Sequence, residues 1–171
     1  AGTGKTLLAI AAGLEQVVEQ RRYERLAVYR PLVPVGRADV GFLPGGLDEK
    51  LDPWMSAIHD AIVALTDQRS AHDAHRMIDE FVGRNQLSLE SVTFLRGRSL
   101  HRQIVVVDEA YIHLVDDPNA GSVDHLVKEL PNLMVLRTFS KIHGLASFRV
   151  GYGYASPALA GLLNRVRQPF N

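Results

Sequence analysis

Apolar residues recur at helical spacing near the start of the chain. Leu7, Ile10, Leu14, Val17 and Val18 share one face and predict a helix from Leu7 to Arg22. Short apolar or β-rich runs predict strands at Leu26 to Tyr29, Ser91 to Leu95, Gln103 to Val107, Leu133 to Leu136 and Ser147 to Tyr154. The run ending at Val107 has no polar interruption after Gln103, as expected of a central strand buried on both faces. Further helical patterns run from Pro53 to Leu65, from His72 to about Gly83, from Val123 to Leu130, and from Pro157 to Val166, where proline occupies the first helical position. Pro31, Pro34, Gly36, Gly41, Pro44, Gly45 and Gly46 make the stretch between the first strand and the second helix a long loop. Alternating helical and extended segments predict an α/β fold with a mainly parallel sheet flanked by helices. There is no internal repeat or low-complexity tract.

Composition narrows the reading. With 171 residues, 46% of them hydrophobic, the chain can bury one substantial core. Nineteen basic and nineteen acidic side chains balance, with a slight acidic excess up to Ala110 and an equal basic excess after it. A general electrostatic attraction to nucleic acid or membrane is therefore not indicated. The absence of cysteine excludes disulfides and thiolate metal sites and fits a reducing, cytoplasmic setting. No apolar run approaches the roughly 20 residues of a spanning helix. The chain opens inside a motif at Ala1-Gly2-Thr3 and stops at Asn171 without a helix stop, so both ends are expected to be cut.

Two segments carry phosphate chemistry. Gly2-Thr3-Gly4-Lys5-Thr6 leads at once into the first helix. Glycines let backbone N–H groups close around phosphate oxygens, and the helix N-terminus favours their charge. Lys5 would meet the β/γ phosphates and Thr6 a Mg2+ ion. Ile104 to Glu109 is an apolar strand ending in two carboxylates, of which Asp108 would order the Mg2+ shell and Glu109 polarise the attacking water. His72 and His75 with Asp79 have metal-compatible helical spacing but read better as a solvated face. Tyr23, Phe42 and Trp54 could stack on RNA bases, yet core packing or loop anchoring suits a neutral chain better.

These motifs, together with Arg30-Pro31, Gly41-Phe42-Leu43-Pro44-Gly45, Asp48 to Pro53 and Phe94 to Leu100, make residues 1–110 resemble PhoH-like ATPases. The resemblance implies a RecA-like P-loop fold, MgATP as ligand, and RNA as a partner of some members. It also implies that Arg96 and Arg98 lie near the nucleotide or a neighbouring subunit, although two solvated arginines are an equal reading. Where the family has glutamine after Asp-Glu-Ala, this chain has Tyr111, so MgATP binding with weak or no hydrolysis is expected.

The vocabulary changes at Val105 to Tyr111. That segment, with Asn132 to Lys141, Gly144-Leu145-Ala146, Arg149 to Tyr152 and Leu163 to Asn171, resembles histidinol-phosphate aminotransferases. The resemblance implies pyridoxal phosphate as cofactor, with Lys141 as its Schiff-base lysine and Asp108 as the partner of its ring nitrogen. It further implies Tyr111 at the 3′ oxygen and Ser140 with Arg149 at the phosphate. A carboxylate at the ring nitrogen keeps it protonated and makes the ring an electron sink. A lysine near cations or apolar walls becomes nucleophilic.

The combined expectation is a three-layer hybrid of P-loop and aminotransferase type, with a nucleotide half at 1–110 and a cofactor-lysine half at 111–171. Gln103 to Val107 and Leu133 to Leu136 should be parallel neighbours in one sheet, with Ser147 to Tyr154 antiparallel. MgATP binding leads as the function. A pyridoxal-phosphate-binding aminotransferase remnant and a scaffold without activity are the alternatives.

Overall fold

The computed structural model describes residues 4–30, 58, 60–65, 71–92, 99–114 and 121–166. The expectations for Gly2, Phe42, Trp54, Arg96, Arg98 and the proline- and glycine-rich loop lie outside these residues.

Five strands form one sheet: β1 (Arg25–Arg30), β2 (Leu87–Ser91), β3 (Gln103–Asp108), β4 (Leu133–Thr138) and β5 (Gly151–Ala155). Their order is β2-β1-β3-β4-β5. Neighbours are parallel except β5, which runs antiparallel to β4. The fold is thus α/β, and the strands on either side of Val105–Tyr111 belong to one sheet, with Val105 beside Leu133 and Asp108 beside Leu136.

Alternation along the strands divides the core. Leu26, Val28, Ile104, Val106, Met134 and Leu136 face a helical layer, where they meet Ile10 and Val17. That layer contains α1 (Lys5–Leu14), the helical residues 60–65 (α2), α3 (Ala71–Gly83) and α4 (Pro157–Val166). Ile62, Ile78 and Leu159 anchor the last three of these helices in the same cluster. Ala27, Tyr29, Val105, Val107 and Val135 face the other way. Over them lie Val123, Leu126, Val127 and Leu130, around the short 3-10 segment Asp124–Lys128. α1 packs so closely on β1 that a Cβ on Gly13 would stand 2.6 Å from Leu26 Cδ1, which explains a glycine inside this helix.

Several elements differ from the sequence pattern. α1 begins at Lys5, and its continuation Glu15–Glu19 is a π-helical turn that buries Gln16 and Val17. The edge strand β2 occupies Leu87–Ser91 and alternates apolar and polar residues; of the strand expected at Ser91 to Leu95, Ser91 closes β2, Val92 is 3-10, and residues 93–95 lie outside the described residues. The helix expected at Val123 to Leu130 is 3-10 over Asp124–Lys128. The strand expected from Ser147 starts at Gly151, because Ala146–Phe148 form a 3-10 turn and Arg149 adopts φ 53. Among the described residues no helix is long and apolar enough to cross a membrane.

Candidate functional site

Gly4 caps α1 in the left-handed region, at φ 77, where a side chain would be strained. The turn it makes aims the first residues of α1 at the end of β3. Lys5 Nζ lies 2.5 Å from Asp108 Oδ2 and donates to Thr6 Oγ1 at 3.2 Å; the Thr6 hydroxyl lies 3.3 Å from the same Asp108 oxygen. The other oxygen, Oδ1, accepts from the Ala110 amide at 3.1 Å. Asp108 is 6% exposed, so its charge needs these partners. The structure thus brings together a cation, a hydroxyl and a carboxylate at a helix N-terminus, from positions more than 100 residues apart in sequence.

Glu109, the next residue, points to the opposite face. It is 1% exposed and both of its oxygens are engaged. Oε1 accepts from the Val123 amide at 2.7 Å; Oε2 accepts from Ser122 Oγ at 2.8 Å and from Arg137 Nε and Nη2 at 3.0 and 2.9 Å. Arg137 Nη2 also donates to Ser122 Oγ and to Asp124 Oδ2, while its guanidinium lies over the Tyr154 ring, 5.5 Å from the centroid. The structure therefore assembles Glu109 with Arg137, Ser122 and Asp124 rather than with Lys5 and Thr6.

These contacts set the protonation of the cluster. Burial tends to raise the Asp124 carboxyl, but the Arg137 charge, the Ser122 hydroxyl and the His125 amide together hold it below its ordinary value. Burial pushes the Tyr154 phenol well above its ordinary value, against the opposing pull of Arg137. Since the folded-state value of Asp124 is depressed, its contribution to stability is present above the ordinary aspartate range and is lost as pH falls through the folded-state value. Asp124→Asn should therefore flatten the acid limb of a stability-versus-pH curve measured by denaturant melts. An unchanged acid limb would show that Asp124 is not linked to folding. The effect should be modest because Asp124 is 42% exposed.

The remaining cofactor candidates lie past the ends of β3 and β4. Lys141 Nζ stands over the Tyr111 ring, 4.6 Å from its centroid, and Arg30 from the end of β1 lies over the same ring at 5.2 Å. Ser140 donates its amide to Thr138 Oγ1, and its own hydroxyl oxygen is buried without a partner. Arg149 donates to the Ala146 carbonyl at 2.8 Å from an exposed segment. His72 and His75 are exposed on α3, and no group of three metal-capable side chains forms among the described residues. Tyr23 packs against the helical-side core. Sequence reasoning passed over Arg137, whose signal was a lone charge inside the apolar strand Leu133–Thr138, and gave Arg30 no role of its own.

Comparison with known proteins divides the chain in the same place. The family of PhoH-like proteins matches residues 1–113, and that of class I and II aminotransferases matches residues 92–171. Protein PhoH2 of Thermobispora bispora is 43% identical over 110 residues, covering 64% of this chain and 24% of its own length. A histidinol-phosphate aminotransferase of Caldicellulosiruptor saccharolyticus is 55% identical over 67 residues, covering 39% of this chain and 19% of its own length. The chain therefore spans about a quarter of the PhoH2 relatives it matches and less of this aminotransferase. Among solved structures, the histidinol-phosphate aminotransferase from Clostridium acetobutylicum aligns over 99% of this chain and 49% of its own, with a TM-score of 0.45 and 13% identity.

Proposed function

The chain belongs to the PhoH-like family, whose match spans residues 1–113, and from that premise we propose that it binds a magnesium nucleoside triphosphate and hydrolyses it weakly or not at all. The observation that carries this reading is the convergence of Lys5, Thr6 and Asp108 behind the left-handed Gly4 turn. These residues fit the ligand. Amides at the start of α1 and the Lys5 ammonium would hold phosphate oxygens, while Thr6 and Asp108 would hold Mg2+ through hard oxygen donors. Bound there, Mg2+ would offset charge on the phosphates.

Weak hydrolysis follows from Glu109. A group that polarises water must reach the water beside the terminal phosphate, on the face where Lys5 and Thr6 lie. Both Glu109 oxygens accept charge-assisted or amide hydrogen bonds on the far side of the sheet.

MgATP at 100 times its Kd should raise the unfolding free energy by about 2.7 kcal/mol, seen as an upward Tm shift. Lys5→Ala should abolish most of that shift by removing the cationic phosphate partner. A shift that survives the substitution would place ATP elsewhere on the protein.

A second reading, pyridoxal phosphate binding, is favoured by Lys141 over Tyr111 and by the partnerless Ser140 hydroxyl, which a phosphate oxygen would satisfy. When bound, this cofactor supplies an electron sink for carbanion chemistry. In this chain Lys141 and Tyr111 would flank it, and Asp108 would have to leave Lys5 to reach its ring nitrogen.

A further inference from the structure

The carboxyl end of the sheet carries more positive charge than the Lys5–Asp108 pair uses. Tyr29 sits beside Val107 in the β1–β3 register, so Arg30 is level with Asp108 on the adjacent strand. Alternation from Val28 and Val106, both in the helical-side core, assigns Arg30 and Asp108 to the face that α1 covers. Lys141 arrives from beyond β4 and shares the Tyr111 ring with Arg30.

Two cations over one neutral ring repel each other, and attraction to the ring's electrons offsets this only in part. No nearby acid compensates them among the described residues. Asp108 is paired with Lys5, and Glu109 is turned to the other face and paired with Arg137. Open α/β sheets bind ligands at this end of their strands, and a gathering of cations there favours an anion.

We propose that Arg30 and Lys141 form a phosphate-binding rim that continues the Lys5–Thr6 site, so that the crevice takes a polyphosphate chain in preference to a single phosphate. The proposal rests on the nucleotide reading and deepens it. It gives Lys141 an electrostatic role, for which any cation of similar reach suffices, instead of a covalent one. The rim also draws on both matched segments, Arg30 on the first and Lys141 on the second.

Isothermal titration of the full chain with sodium tripolyphosphate and with orthophosphate tests it. Tripolyphosphate should bind at least roughly tenfold tighter than orthophosphate, and Arg30→Met or Lys141→Met should each weaken it by roughly tenfold, one charge-assisted contact apiece. Lys141→Arg should retain parental affinity, as an electrostatic contact requires; a loss equal to that of Lys141→Met would overturn the electrostatic role. Arg30 is partly exposed and Lys141 exposed, so these variants should keep the parental melting curve. Tripolyphosphate affinity unchanged in the Arg30→Met, Lys141→Met double variant overturns the rim. If Lys5→Ala alone then abolishes binding, the nucleotide reading stands without it. If the rim variants weaken binding and Lys5→Ala does not, the rim stands and the nucleotide reading falls. No measurable tripolyphosphate binding to the parent protein overturns both.

Discussion

Arg137→Ala should cost about 3–5 kcal/mol of folding stability, because it strands a buried carboxylate without its counter-charge. Glu109 is 1% exposed and Arg137 13%, so neither charge can turn to water when its partner is lost. The guanidinium grips Glu109 through two nitrogens and reaches Ser122 and Asp124 as well, so one truncation leaves three acceptors short of a donor. The cluster ties the end of β3 to the end of β4 and to the 3-10 segment Asp124–Lys128 that packs on the second face of the sheet. Denaturant melts of Arg137→Ala would measure the loss. The double variant Glu109→Leu, Arg137→Met should recover much of it, since replacing both charges removes the desolvation penalty along with the attraction. A single variant within about 1 kcal/mol of the parent would mean that the pair is solvated and worth no more than a surface salt bridge.

What the sequence revealed of this architecture depends on the range of the interactions concerned. β3 was legible because a central strand buried on both faces leaves a continuous apolar run. The meeting of Lys5 and Thr6 with Asp108 was legible because a glycine turn opening a helix and a carboxylate ending a buried strand are local patterns, and the structure brings the three together. The Leu87–Glu90 part of β2 was not legible because Leu87-Ser88-Leu89-Glu90-Ser91 is an edge strand with only a weak alternating pattern. The 3-10 segment at Asp124–Lys128 read as a helix because its apolar residues pack on the sheet as a helix's would. The partnership of Glu109 with Arg137 spans 28 residues and has no local signature. Half of it was nonetheless available from parity. In β3, residues 104, 106 and 108 share one face while 105, 107 and 109 share the other, so Asp108 and Glu109 could not both face α1.

That parity makes Asp108 the carboxylate which both proposed ligands need, so each should weaken the binding of the other. A Mg2+ ion beside Thr6 and a pyridinium nitrogen each require an Asp108 oxygen. Oδ1 accepts from the Ala110 amide, and Oδ2 is the oxygen that Lys5 and Thr6 approach, where the two ligands would compete. Binding pyridoxal phosphate would draw this oxygen away from Lys5, while binding MgATP would draw Lys5 toward phosphate and leave Asp108 to the metal. Because binding free energies are linked, MgATP must weaken pyridoxal phosphate by the same factor as the reverse, and a typical coupling is about 5–150-fold. Asp108→Asn should impair both ligands, since the amide keeps the shape but lacks the charge that orders Mg2+ and holds a ring nitrogen protonated. A pyridoxal phosphate titration followed by visible absorbance, with and without saturating MgATP, reads the coupling directly. Superimposable isotherms would show that the two ligands do not meet at Asp108. A pyridoxal phosphate affinity that Asp108→Asn leaves intact would remove this residue from the cofactor site altogether.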